Sequence, residues 1–241
     1  MEIPVVSLGR KLSPYLKIAA AIVLVVLISL AGIRLFSWHA QGEQTRLITL
    51  VNPWNPVTET GYSVKLTGAE DGFQVDRACA EALRHLLEDC RAAGRNPKLT
   101  SAYRSVDDQL VIHDEEAQRL VDGGATPEEA AVAVAKLIAD PGRSEHELGL
   151  SVDILDGDLP EMNESQAETP TGQWLAENAW KYGFIQRYPK GAEEITGYSW
   201  HPWHYRYVGE DVAQNIYSLG ITLEEYLALF YSDEAAVVYE H

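Results

Sequence analysis

The chain has 241 residues, 46% of them hydrophobic and 23% charged, which suits one sizeable globular domain and excludes wholesale disorder or a collagen-like repeat. Nineteen Lys and Arg stand against 36 Asp and Glu, a formal net charge of −17. That balance argues against a nucleic-acid partner, which needs a cationic face to displace counterions.

Ile18 to Ile33 runs sixteen residues without a charge. Tyr15 to Trp38 supplies the roughly 20 residues that a bilayer core requires, provided that Lys17 and Arg34 snorkel to the two interfaces. We read 18–38 as one transmembrane anchor. A cleaved signal peptide is the main rival, but the apolar run is long for one and no A-x-A-like site follows. A buried core helix is the blander rival, and no cysteine behind the run marks a lipoprotein. Arg10, Lys11 and Lys17 precede the span, so the positive-inside rule leaves a short cytoplasmic segment at 1–17 and places the rest outside. Residues 39–46 are a linker and 47–241 an extracytoplasmic domain. Within 1–46, Arg10, Lys11, Lys17, Arg34 and Arg46 oppose Glu2 and Glu43, a surplus of +3 that leaves −20 for the domain.

Leu47–Val51 reads as a short strand and Asn52 to Pro56 as a turn, because each Pro pushes its predecessor out of helical space. Val75 to Ala93 places Val75, Cys79, Leu83, Leu86, Leu87 and Cys90 at a helical period, with Gly94 as its C-terminal cap. Cys79 and Cys90 share a face but lie about 16 Å apart along a continuous helix, too far for a disulfide. They read as core thiols. Lys98–Tyr103 is a strand candidate, Ser105 caps the next helix, and Thr126-Pro-Glu-Glu129 is a capping box that opens a helix to about Ala139. Leu150, Val152 and Ile154 alternate with polar residues, as in a strand with one buried face. Residues 156–171 read as a long polar surface loop, Gly172–Tyr182 as a helix and His204–Val208 as a strand. Two short helices finish the chain, the last opening at Thr222 with Glu225. Helices and strands mix without a βαβ rhythm, which points to an α+β fold.

Two clusters carry chemistry: Ser144-Glu-His-Glu-Leu-Gly-Leu-Ser-Val-Asp153 and Trp200-His-Pro-Trp-His-Tyr-Arg-Tyr-Val-Gly209. His39, His85, His113 and His241 lie outside them, each isolated. His146, Asp153 and His204 suit Zn²⁺, and three protein ligands leave one position open for water, whose pKa the ion lowers toward 7. A strand puts residues seven apart on opposite faces, so His146 and Asp153 converge only if the chain bends, and Gly149 allows the bend. Pro202 breaks the second strand so that His201 and His204 can face one cavity. The alternative is that these are hydrogen-bonded structural residues. Leu150 stands where a zincin helix needs its second His.

Three ordered blocks then become recognisable: Ser101-Ala-Tyr-Arg-Ser105 with Gln109, Ser144 to Ile154, and Ile195-Thr-Gly-Tyr198 followed by Pro202 to Gly209. In these the sequence resembles the zinc D-Ala-D-Ala carboxypeptidases of the VanY type, within the lysostaphin/D-Ala-D-Ala peptidase/hedgehog-like group, over Leu47 to Leu229. The resemblance implies a small central antiparallel sheet flanked by helices, Zn²⁺ as cofactor and a peptidoglycan stem peptide as substrate. It implies that His146, Asp153 and His204 are the metal ligands. Arg104 matches the arginine near the substrate, a role that suits a planar fork binding carboxylate bidentately. Ser144 and Gln109 match pocket or ligand-shell positions, and Trp203, Tyr205 and Arg206 the framework around His204. One departure stands out. VanY-type enzymes carry Glu, the general base, where this chain has His201, although other branches of the group place His there, and imidazole shuttles protons near neutrality. Glu193 and Glu194 are the nearby substitutes. The expected activity is zinc-dependent D,D-carboxypeptidase, with His201 as base and Arg104 on the substrate carboxylate. An endopeptidase or L,D-carboxypeptidase of the same fold, or a silent zinc-containing cell-wall-binding module, are the alternatives.

Overall fold

The computed structural model describes residues 45–231. The anchor predicted at 18–38 lies outside them, and among the described residues no helix is long and apolar enough to cross a membrane. A two-stranded antiparallel hairpin, β1 (Leu66–Gly68) and β2 (Gln74–Asp76), leads into helix α1 (Arg77–Ala92) and strand β3 (Pro97–Ser101). Helices α2 (Val106–Asp122) and α3 (Pro127–Leu137) pack on each other, and strand β4 (Ser151–Asp156) follows. Then come α4 (Pro170–Asn178), β5 (Phe184–Gln186), the single turn α5 (Glu193–Thr196), β6 (His204–Tyr207), α6 (Glu210–Leu219) and α7 (Leu223–Phe230). Strands β3, β4, β6 and β5 form one four-stranded sheet in that order, antiparallel throughout. This is the expected α+β architecture.

The caps lie where the sequence puts them. Ser105, Thr126 and Thr222 each accept a backbone N–H three residues on, and Asp108, Glu129 and Glu225 reach back to complete the boxes. Helix α1 starts two residues later than its apolar period suggests, because Val75 pairs with Thr67 in β2 and Asp76 becomes the cap. Its buried stripe, Cys79, Leu83, Leu86, Leu87 and Cys90, packs with Leu99, Val152, Ile154, Phe184 and Tyr205 of the sheet. Both cysteines are free, and burial pushes their thiols up to about 12. A second cluster joins Ile185 and Val208 to Val212, Ile216, Leu223 and Tyr226 under α6 and α7.

Two local expectations fail for identifiable reasons. Residues 48–51 form no strand: the Arg206 guanidinium donates to the carbonyls of Leu47 and Thr49 at 3.0 and 2.9 Å, taking acceptors a neighbouring strand would need. Strand β4 is buried at all six positions rather than on one face. Val152 and Ile154 join the cluster under α1, while Ser151 and Asp153 are covered by Glu145 and His204. The 156–171 segment is the expected surface loop, mostly exposed, and is anchored by buried Gln166, which accepts from Asp156 N at 2.9 Å and donates to Glu161 O at 2.9 Å.

Candidate metal centre and active site

Ser144 opens a tight turn, Glu145–Leu148, and its Oγ accepts from His146 N at 3.4 Å. Gly149 closes the turn at φ 67° and accepts from Asp76 N at 2.8 Å. A Cβ at Gly149 would stand 2.9 Å from that nitrogen. The reversal carries the chain into β4 and swings His146 over Asp153. Gly149→Ala should therefore cost about 1–3 kcal/mol for the left-handed backbone alone, read as a lower denaturation midpoint with an unchanged slope. An unaltered midpoint would mean that the bend does not need glycine.

The sheet supplies the third residue. Asp153 and His204 are directly opposed in the β4–β6 register, so their side chains share a face. His204 Nδ1 lies 2.8 Å from Asp153 Oδ1, His146 Nε2 lies 3.3 Å from Asp153 Oδ2, and the imidazoles meet edge to face at 4.9 Å. One donor atom from each of the three buried residues lies within 4.8 Å of the others. His146 Nδ1 donates to Ala102 O at 2.6 Å. A carbonyl can only accept, so Nε2 carries the lone pair and points into the cluster.

The donor set fits a divalent cation of borderline softness: two imidazoles and a carboxylate. Burial opposes the Asp153 charge, yet His146 and His204 hold its carboxyl well below the usual range. Burial, reinforced by Arg104, pushes His146 down to about 4. His204 is raised despite burial, through its bond to Asp153 and the nearby Glu145 carboxylate. The cluster thus favours a positive charge at the point where the three donors converge.

A cavity of ≈ 280 Å³ opens over the cluster and is lined by all seven residues singled out from the sequence: Arg104, Gln109, Ser144, His146, Asp153, His201 and His204. Arg104 Nη2 stands 3.9 Å from Asp153 Oδ2, while its Nε is buried without a hydrogen-bond partner. Burial lowers its pKa and Asp153 partly compensates. Gln109 Nε2 donates to Ala139 O at 2.7 Å, leaving Oε1 without a partner. His201 N donates to Tyr188 O at 3.1 Å, its ring stacks on Trp203 at 4.9 Å, and its Nε2 has no partner. Burial, and then His204, push His201 down to about 4, so the ring is neutral at pH 7. Glu193 and Glu194 sit exposed on α5 and do not line the cavity, which removes them as substitutes. His85 and His113 also lie away from it.

Sequence reasoning missed three participants. Tyr188 stacks on His204 at 4.9 Å and presents its edge to His201; nothing in its neighbourhood marks it. Glu145 was quoted inside the first cluster but given no role. It is buried, accepts from Arg187 Nε at 2.8 Å and Arg206 Nη1 at 2.7 Å, and faces His204 Nε2 at 3.7 Å. Burial opposes its charge, but the two arginines hold it well below the ordinary range. Arg187 is the third, a buried cation carried just beyond β5.

Comparison with known proteins agrees with this geometry. The family model VanY, D-alanyl-D-alanine carboxypeptidase, matches residues 72–210. A D-alanyl-D-alanine carboxypeptidase of Enterococcus faecalis is 41% identical over 186 residues, 77% of this chain and 67% of that protein. The chain spans about half to two thirds of the length of the curated relatives it matches. Among solved structures, VanYB in complex with D-alanine-D-alanine superposes with a TM-score of 0.69 at 38% identity, covering 76% of this chain and 98% of that one. A mutant vancomycin-resistance D,D-pentapeptidase VanY in complex with Zn(II) gives 0.68 at 39%, covering 76% and 99%. By sequence and by fold, the chain belongs to the VanY D-alanyl-D-alanine carboxypeptidase family.

Proposed function

We propose that this chain is a zinc-dependent D,D-carboxypeptidase that removes the terminal D-Ala from peptidoglycan stem peptides, held at the outer membrane face by the segment at 18–38. One observation carries the reading. A buried His-Asp-His cluster shares a cavity with a guanidinium and an imidazole that each have an unpartnered nitrogen.

His146, Asp153 and His204 hold the zinc. Bound there, the ion supplies a Lewis acid and a means of activating water near neutral pH. Arg104 donates to the free carboxylate of the substrate, which selects a carboxypeptidase over an endopeptidase. Gln109 Oε1 and Ser144 offer acceptors to the peptide backbone beside it. His201, neutral and stacked on Trp203, would take a proton at Nε2 from the attacking water and pass it to the leaving amine. Tyr188 and Tyr198 wall the cavity and limit water.

Incubation with tetra- and pentapeptide muropeptides of defined stereochemistry tests the proposal. Release of D-Ala from a D-Ala-D-Ala end is expected, together with its loss under a chelator and its return with added Zn²⁺. Release from an L,D bond alone would redirect the specificity, and internal cleavage would favour the endopeptidase. The His201-for-Glu difference favours one reading of another class, a silent zinc-containing wall-binding module. Such a module would bind zinc and muropeptides and release nothing.

A further inference from the structure

The two nitrogens of His204 face two different carboxylates. Nδ1 meets Asp153 at 2.8 Å within the metal cluster, and Nε2 faces Glu145 Oε2 at 3.7 Å outside it. Nε2 is buried and has no closer acceptor. A carboxylate can only accept, so without a metal Nδ1 carries a proton toward Asp153. A metal at Nδ1 would displace that proton and leave a neutral ring whose one proton is on Nε2. Glu145 is not free to turn toward the cluster. Arg187 and Arg206 hold its Oε1, and Ser151 Oγ donates to Oε2 at 3.2 Å.

The arginines are themselves fixed from distant parts of the chain. Arg187 donates to both oxygens of Glu224 on α7, at 2.9 and 2.6 Å, and Asn52 donates to the same carboxylate at 3.3 Å. Arg206 is fixed by the Leu47 and Thr49 carbonyls. Two glutamates and two arginines, all buried, balance to zero charge. Such a group is costly to desolvate, and apolar replacements often match it for stability. Stability alone therefore does not account for it.

We propose that Glu145 is a positioning residue that holds the His204 proton on Nε2 and so presents Nδ1 to the metal, and that Glu224 acts through Arg187 to hold Glu145 in place. Glu145 stands outside the three-residue metal cluster. The group is a two-layer frame that ties the last helix and residues 47–52 to one ligand. A carboxylate that orients a ligating histidine typically accounts for about 10–100-fold in metal affinity.

This rests on the zinc site proposed above, and the test separates the two. Glu145→Gln and Glu224→Gln are made in the full chain. Three quantities are measured for each: Zn²⁺ affinity by chelator competition, the visible absorption of the Co²⁺ form, and the melting temperature without metal. Glu145→Gln is expected to weaken zinc binding by about 10–100-fold and to change the cobalt spectrum. Glu224→Gln should change both in the same direction by a smaller factor. Normal affinity and an unchanged cobalt spectrum in both variants, with only a lower metal-free melting temperature, would overturn the proposal and leave the zinc site standing. A parent chain that binds no zinc would overturn both. Should Glu145→Gln fail to fold, Glu224→Gln decides alone, since its substitution lies two side chains from His204.

Discussion

Replacing His201 with alanine is expected to lower turnover on a D-Ala-D-Ala peptide by about 10²–10⁴-fold, the range for loss of a general base, while zinc content stays at the parent level. The two effects separate because His201 is outside the three-residue cluster. What it supplies is a buried, neutral imidazole with one unengaged nitrogen in the cavity. His201→Glu, which installs the residue usual in VanY-type enzymes, should retain turnover well above the alanine variant. Burial that keeps imidazole neutral would also raise a carboxyl, so the glutamate form should act as base over a different pH range. Full activity in His201→Ala would place the base elsewhere, and exposed Glu193 and Glu194 could not supply it.

Arg104→Ala is expected to reduce kcat/KM by roughly thirtyfold to several-thousandfold, the equivalent of about 2–5 kcal/mol for truncating one partner of a buried charge pair. In the free protein the Arg104 guanidinium has Asp153 as its near counter-charge, at 3.9 Å, and a substrate carboxylate would complete its pairing. Lysine should not rescue it, because an ammonium lacks the planar fork. A peptide with an amidated C-terminus makes the argument specific. It should be a poor substrate for the parent protein, and Arg104→Ala should lose little more on it. An equal loss on free and amidated peptides would assign Arg104 to the structure of the cavity instead.

Local chemistry made much of the fold and the cluster legible. Ser105, Thr126 and Thr222 satisfy orphan N–H groups wherever they stand, so their capping boxes could be read directly. Gly149 was interpretable for a similar reason, because the geometry that joins His146 to Asp153 demands a reversal. What could not be read was the fate of charges far apart in the chain. Glu145, Arg187 and Glu224 look in sequence like solvated surface residues, and only the resemblance marks Arg206; each is buried against a partner of opposite charge. The strand expected at Leu47–Val51 failed for the same cause, since its carbonyls serve a guanidinium 157 and 159 residues away. Tyr188 carries no pattern at all, and its role comes from lying against His204 of β6 and His201 just before it.

The Asn52–Glu224 bond joins residues 172 positions apart, and this has a bearing on when the protein acquires activity. Contacts of such separation form late, because closing the intervening loop costs entropy before any contact rewards it. A chain emerging N-terminus first holds His146 and Asp153 long before α7 exists. Until Glu224 is in place His204 lacks the frame proposed to orient it, and a chain truncated before α7 is expected to bind zinc more weakly. On the proposal above, completion of the last helix would be the step that closes this frame around one metal ligand.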